Sequence, residues 1–175
     1  MTAAAPQFFK LRVKGTAETR SRTRAKARQH EVVLDEPPNL HGSDLAANPL
    51  ETMLSSFIGC TNVVAHTVAD ERGLNIRGME FSVTGLLDRR VAAGDETVTI
   101  PFPKIELDVV VDTDASDDEI DSLKHTVAKR CPVSVILRQA GTEIVDEWRK
   151  NSGDKQPVSR LPAPSSRQQS GDPYR

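Results

Sequence analysis

Long apolar runs are missing from this chain: nowhere do 18 apolar residues follow one another, so no stretch has the length of a membrane-crossing helix. The first residues, M-T-A-A-A-P-Q-F-F-K, also lack an apolar run of signal-peptide length, and the expectation is a cytoplasmic protein without membrane contact. Aromatics make up only 4%, so a core has to be assembled from Val, Leu, Ile and Ala. Cysteine is scarcer still. Two cysteines in 175 residues exclude a disulfide scaffold, and in a reducing compartment such a pair is inert core, a metal site or a redox centre.

What is present suffices for one folded domain, because a core of about 150 residues buries roughly 70% of its extended-chain surface. The net charge of -2 conceals an uneven distribution. Residues 1–30 carry Lys10, Arg12, Lys14, Arg20, Arg22, Arg24, Lys26 and Arg28 against Glu18 alone, while Asp112 to Asp121 is acidic. Apolar and cationic residues alternate from Phe9 to Val13, and cations alternate with small residues from Arg20 to Arg28. With a turn at Gly15–Glu18 this pattern predicts a β-hairpin whose even positions place the cations on one side. Such a face reads as a solvated edge protected by like charge. A nucleic-acid surface uses the same charges, but no aromatic follows Phe9 in this segment and the chain as a whole is slightly acidic. A nucleic-acid partner is therefore not expected.

A third strand is expected at His30–Leu34, followed by a loop in D-E-P-P-N-L-H-G-S-D. Asn48 as N-cap, Pro49 at the first helical position, Glu51 near the positive helix end and Gly73 as the stop delimit one long helix. Its apolar stripe takes in Leu50, Met53, Leu54, Phe57, Thr61, Val64, Ala65 and Val68, and Cys60 falls on the buried side. Alternation predicts strands at Met79–Leu87 and Thr97–Val111. Ser116 and Glu119 form a capping box that opens a helix to about Arg130, with Ile120, Leu123 and Val127 inward. Pro132 ends that helix and starts a short one to Ala140, and a last strand is expected at Glu143–Trp148. The remainder, short of apolar residues and rich in Ser, Pro and Gly, is expected to be disordered.

Cys131 stands at a junction, behind Lys129 and Arg130 and one residue before a proline-started helix. Helix N-termini and cations both favour thiolate, so the position suits a reactive cysteine, although a packed cysteine needs no more than this. Cys60 follows Gly59 among Ser55, Ser56, Thr61 and Asn62, which fits either polar contact with its sulfur or close helix packing. Cys60-x5-His66 and His125-x5-Cys131 add up to a Cys2His2 set, but six residues turn a helical side chain by about 120° from the first, where a chelating pair wants three or four. No metal is expected. A Cys-His nucleophile stays open, since His30, His41, His66 or His125 can approach from elsewhere in the fold.

Taken together, N-P-L-E-T-M-L-S-S-F-I-G-C, the D-x-P loop at Asp35–Pro37, the A-x3-G at Ala69–Gly73 and K-R-C-P-V-S-x-x-L resemble the OsmC/Ohr family of thiol-dependent peroxidases. The resemblance implies an α+β fold, antiparallel sheets packed on two main helices in an intertwined homodimer. It divides the chain into an N-terminal arm (1–7), an OsmC-like domain (8–148) and a C-terminal tail (149–175). It further implies that Cys60 is the peroxidatic and Cys131 the resolving cysteine, that the substrate is an organic hydroperoxide met in a largely apolar pocket, that a dithiol resets the enzyme and that no cofactor is used. The family's thiolate-supporting arginine from the N-terminal strands maps best onto Arg28. Its helix-opening carboxylate position is Leu50 here, and the acid is Glu51, nine residues before Cys60 and so about 180° around a regular helix from it. Glu51 thus reads either as that site acid or as a carboxylate at a helix N-terminus. The alternative for the whole protein is a binding protein or thiol sensor of the same fold without efficient turnover.

Overall fold

The computed structural model describes Ala5 and residues 7–151, which contain six strands and three α-helices. The expected tail from residue 152 onward lies outside the described residues, as does most of the N-terminal arm. Two units divide at Thr52 and Met53, within the first turn of the long helix.

In the first unit, β1 (Lys14–Ala17), β2 (Thr23–Ala27) and β3 (His30–Leu34) form an antiparallel meander. The turn falls at residues 18–22, not at Gly15–Glu18, and among the described residues Phe9–Val13 has no strand partner. Backbone chemistry explains the shift: the Glu18 and Thr19 N–H groups both donate to the Arg22 carbonyl, and Thr19 Oγ1 accepts from the N–H groups of Ser21 and Arg22. The cationic face is partly neutralised. Glu18 accepts from Arg22 Nε at 3.0 Å and Arg24 Nε at 2.6 Å, and Glu31 accepts from Arg24 at 3.1 Å.

The loop after β3 is organised around Asp35, whose side chain is fully buried. Its carboxylate accepts from Ser43 Oγ at 2.6 Å, Ser21 Oγ at 3.1 Å and the backbone N–H groups of Glu36, Ser43 and Leu45. A buried carboxylate without such partners would neutralise itself; here the donors, Ser43 first, hold its pKa down at about 2. Gly42 is required beside it, because a Cβ there would lie 1.6 Å from the Glu36 carbonyl oxygen.

The second unit carries the core. Helix α1 (Pro49–Arg72) buries Phe57, Thr61, Ala65 and Val68, the inner part of the expected stripe, and with them Ala69. Strands β4 (Ile76–Leu86) and β5 (Lys104–Thr113) pair antiparallel, and β6 (Glu143–Lys150) runs parallel to β5, giving the order β4-β5-β6. That parallel edge departs from the all-antiparallel expectation. Its cause is the connection: α2 (Asp117–Arg130) and α3 (Pro132–Gln139) carry the chain back to the end of the sheet where β5 began. β5 also starts later than Thr97, since Pro101 and Pro103 cannot donate to a ladder. Its residues Ile105, Leu107, Val109 and Val111 are all buried, as the alternation predicts, and Ile120, Leu123 and Val127 of α2 join them in the core. The Ser116–Glu119 capping box forms as expected.

Two outcomes follow. Leu123→Ala, at a site 2% exposed, is expected to cost about 2–5 kcal/mol in denaturant unfolding. Asp35 titrates at 3.8 when unfolded and about 2 when folded. Its stabilising contribution is therefore complete above about pH 4 and lost as pH falls toward 2. Unfolding followed across that window should show Asp35→Asn less stable at neutral pH and flatter in its acid dependence. Identical acid slopes for the two proteins would remove Asp35 from this role.

Candidate functional site

The two cysteines, 71 positions apart in sequence, meet in space. Cys60 comes from the middle of α1 and is half-buried, not fully inside as the stripe suggested. Cys131 has 0% exposure. It is at once the C-cap of α2, its N–H donating to the Val127 carbonyl at 2.8 Å, and the N-cap of α3, its carbonyl accepting from Val135 at 3.0 Å. Pro132 explains the double role. Its ring disfavours helical geometry at residue 131, which adopts φ -74 and ψ 111, while its fixed φ suits the first position of α3.

Both cysteines are free thiols, and their side chains lie within hydrogen-bonding reach of each other. Burial, then the hydrogen bond with Cys60, pushes the Cys131 thiol up to about 11. Cys131 makes no side-chain capping bond to α3, although the Ser134 and Val133 N–H groups lie near enough to oppose the rise. The expectation that Lys129, Arg130 and a helix N-terminus favour a Cys131 thiolate is therefore corrected: desolvation outweighs them. Arg130 is turned to Glu71 on α1 in a two-pronged pair, one arm at 2.8 Å. Arg72 donates to Thr126 Oγ1 at 2.6 Å and Ser122 Oγ at 3.3 Å. Pairs this exposed contribute little energy. Their effect is geometric, fixing the end of α2 against α1 and with it one sulfur against the other.

A cavity of about 10 Å³ touches Cys131, lined among others by Thr61, Ser134, Asp146 and Trp148. It has room for about one water molecule and none for an organic hydroperoxide. The sequence reading did not single out Asp146 or Trp148. The signal was present, for Ile144, Asp146 and Trp148 alternate onto one face of β6, where an acid beside an apolar residue is out of place.

The other two expected site residues lie in the first unit. Arg28 occupies the β2–β3 turn, exposed, with a left-handed φ of 57°. Glu51 accepts from the Asn48 N–H at 2.8 Å while its own N–H donates to Asn48 Oδ1 at 2.8 Å, so it completes a reciprocal cap of α1. Glu36, absent from the sequence reading, lies close enough to Glu51 that burial, then the Glu51 and Asp35 charges, raises its carboxyl pKa. Among the described residues no three His, Cys, Asp or Glu side chains converge in a way that would hold a metal ion, and no helix is long and apolar enough to cross a membrane.

The model of a family described as OsmC-like protein matches residues 41–145. Among solved structures, an OsmC-like protein from Mycoplasma pneumoniae superposes with a TM-score of 0.71 at 21% identity, over 82% of this chain and 99% of the other. A Legionella pneumophila structure titled organic hydroperoxide resistance protein OsmC gives 0.60 at 16% identity, over 83% and 98%. An organic hydroperoxide resistance protein from Elizabethkingia anophelis gives 0.60 at 15%, over 84% and 100%. No curated protein sequence matches significantly.

The buried thiol makes a direct prediction. With a pKa of about 11, about one Cys131 in a thousand is ionised at pH 8. In Cys60→Ser, iodoacetamide should label the still-buried Cys131 slowly, with a rate that climbs as pH rises and jumps on unfolding in urea. Rapid labelling of the native variant at pH 8 would mean the thiol is neither buried nor raised.

Proposed function

The chain belongs to the OsmC-like family, and from the meeting of its two cysteines we propose that it is a thiol-dependent peroxidase reducing organic hydroperoxides. The observation that carries this reading is the contact between the half-buried Cys60 and the fully buried Cys131. Two solved structures that share the fold are titled organic hydroperoxide resistance proteins, which supports the substrate class.

The chemistry divides by exposure. Cys60, the sulfur nearer solvent, attacks the peroxide; the O–O bond breaks, an alcohol leaves and Cys60 becomes a sulfenic acid. Cys131, sealed and protonated, is a poor first nucleophile but sits against that sulfenic acid, and their condensation gives a disulfide and water. An external dithiol returns both to thiols.

The proposed enzyme is a homodimer. Val63 on α1 and Ile136 on α3, helices that carry or follow the two cysteines, are 64% and 63% exposed, which supports a covering partner surface. Arg28 is proposed to support the Cys60 thiolate. Glu51 is assigned to the same site through the family resemblance, and its contacts are those of a cap. Glu51→Gln separates the two roles, because an amide oxygen still accepts the Asn48 N–H while the charge is gone.

Leu50, in place of the family's helix-opening acid, favours a second reading, a thiol sensor that oxidises once. Turnover distinguishes them. With cumene hydroperoxide and dithiothreitol, many equivalents of alcohol per chain are expected; a single equivalent would make it a sensor. Cys60→Ser should lose peroxide reduction altogether, at least about a thousandfold by analogy with removal of a catalytic nucleophile. Cys131→Ser should keep the first oxidation and accumulate sulfenic acid. Sedimentation should show a dimer that Val63→Asp weakens.

A further inference from the structure

Among the described residues three buried side-chain polar atoms have no hydrogen-bond partner; one is Glu36 Oε2, and the other two, Thr61 Oγ1 and Trp148 Nε1, belong to residues that line the small cavity beside Cys131. Thr61 is only 2% exposed, and indole Nε1 has no role open to it except donation. Leaving either unpaired inside a protein is costly. The cavity, at about 10 Å³, meets the lower limit for one water and has polar groups around it. The atoms also suit each other. A water has two lone pairs and two protons, and one placed there would have Trp148 Nε1 and the Cys131 S–H to accept from and Thr61 Oγ1 and the Asp146 carboxylate to donate to.

Asp146 gives the cavity a way out. Its side chain is 22% exposed, and Arg138 reaches its carboxylate at 3.5 Å while also donating to Ser134 Oγ and the Ile144 carbonyl at 3.4 Å. The cavity wall therefore has a sealed thiol on one side and a carboxylate with access to solvent on the other.

We propose that the cavity lined by Thr61, Cys131, Asp146 and Trp148 is a water site, and that its water passes the Cys131 thiol proton to Asp146 when Cys131 attacks oxidised Cys60. The second half rests on the peroxidase reading. In that step the Cys131 and Cys60 sulfurs form a bond as the Cys60 S–O bond breaks. The Cys131 sulfur is oxidised and the Cys60 sulfur reduced by the same electron pair. Hydroxide leaves Cys60 and takes a proton from solvent, and the proton released by Cys131 leaves through the water and Asp146. The balance is one water formed and no external oxidant. A buried thiol that reacts only as its thiolate needs such a route, because solvent does not reach it directly. Thr61 and Trp148 are positioning residues that hold the water; Asp146 receives the proton.

The test mixes reduced full-length protein with one equivalent of cumene hydroperoxide, counts sulfenic acid by dimedone trapping and disulfide by intact mass after alkylation, and compares wild type with four variants. In Asp146→Asn the first oxidation should proceed as in wild type while disulfide closure slows on the order of a hundredfold, so sulfenic acid accumulates. Asp146→Glu should recover most of the closure rate. Thr61→Val and Trp148→Phe, which keep the shape and remove one anchor each, should slow closure by a smaller factor, and they decide the matter if Asp146→Asn does not fold. Closure at the wild-type rate in all folded variants overturns the proton route, and a dry cavity in a high-resolution crystal structure of the reduced protein overturns the water site. A wild type that forms neither sulfenic acid nor disulfide fails at the earlier step: it removes the peroxidase reading and the proton route with it, and the crystal structure still judges the water site.

Discussion

The arrangement of the two sulfurs depends on one residue that refuses to be helical. Had position 131 continued α2, the chain would run on past the sheet, and its side chain would stay on the flank of a single rod. Pro132 prevents this through its effect on the preceding residue, and the extended geometry at Cys131 lets one backbone close one helix and open another. The cost is small, since the N–H lost at Pro132 is one that a first helical position leaves unpaired in any case. In return the Cys131 backbone is fixed by hydrogen bonds on both of its flanks and by the α1–α2 contacts of Glu71 with Arg130 and Arg72 with Thr126.

That placement decides the electrostatics. A helix N-terminus and two adjacent cations are the usual means of lowering a thiol pKa, and all three are next to Cys131. They fail here because each acts through distance or orientation while burial acts on the sulfur itself. Arg130 faces Glu71, the N–H groups of α3 make no full capping bond, and complete burial takes the sulfur out of the bulk solvent that would support a thiolate. The outcome runs against the neighbours in sequence: the cysteine flanked by cations is the sealed one, its thiol pKa raised by burial.

Much of the fold was legible because its signals are local. The Asn48–Pro49–Glu51 start of α1, the Ser116–Glu119 box and the alternation along β5 each specify structure from residues within a turn or a strand of one another. The hairpin turn was misplaced because alternation marks a strand without marking its partner, and Thr19 and Arg22 set the turn by hydrogen bonds no periodicity encodes. The parallel β5–β6 pair was missed for a related reason, since register and direction follow from a connection of two helices and from no residue in either strand. At the site, the cysteine pair was reachable through family resemblance. The cavity residues Asp146 and Trp148 were only half legible: their alternation with Ile144 marks an acid out of place on an apolar face of β6, but that this face meets Thr61 and Cys131 at a cavity is encoded in no single segment. Thr61 itself stood in view, as the polar member of an apolar stripe.

The dimensions of the cavity bear on where a substrate would bind. The cavity at Cys131 has space for about one water, so the organic hydroperoxide of the proposed reaction would have to reach the half-buried Cys60 from outside that cavity. An apolar molecule gains little by resting on a half-exposed helix in water; it needs walls on more than one side before burial favours it. Along α1, one turn beyond Cys60, lies Val63, and its 64% exposure leaves an apolar side chain uncovered where such a wall is needed. A second copy laid against α1 would bury Val63 and turn the open side of Cys60 into a pocket in the same movement. On this argument the proposed homodimer and the proposed preference for organic hydroperoxides are one requirement, and a monomer would be expected to treat bulky and small peroxides alike.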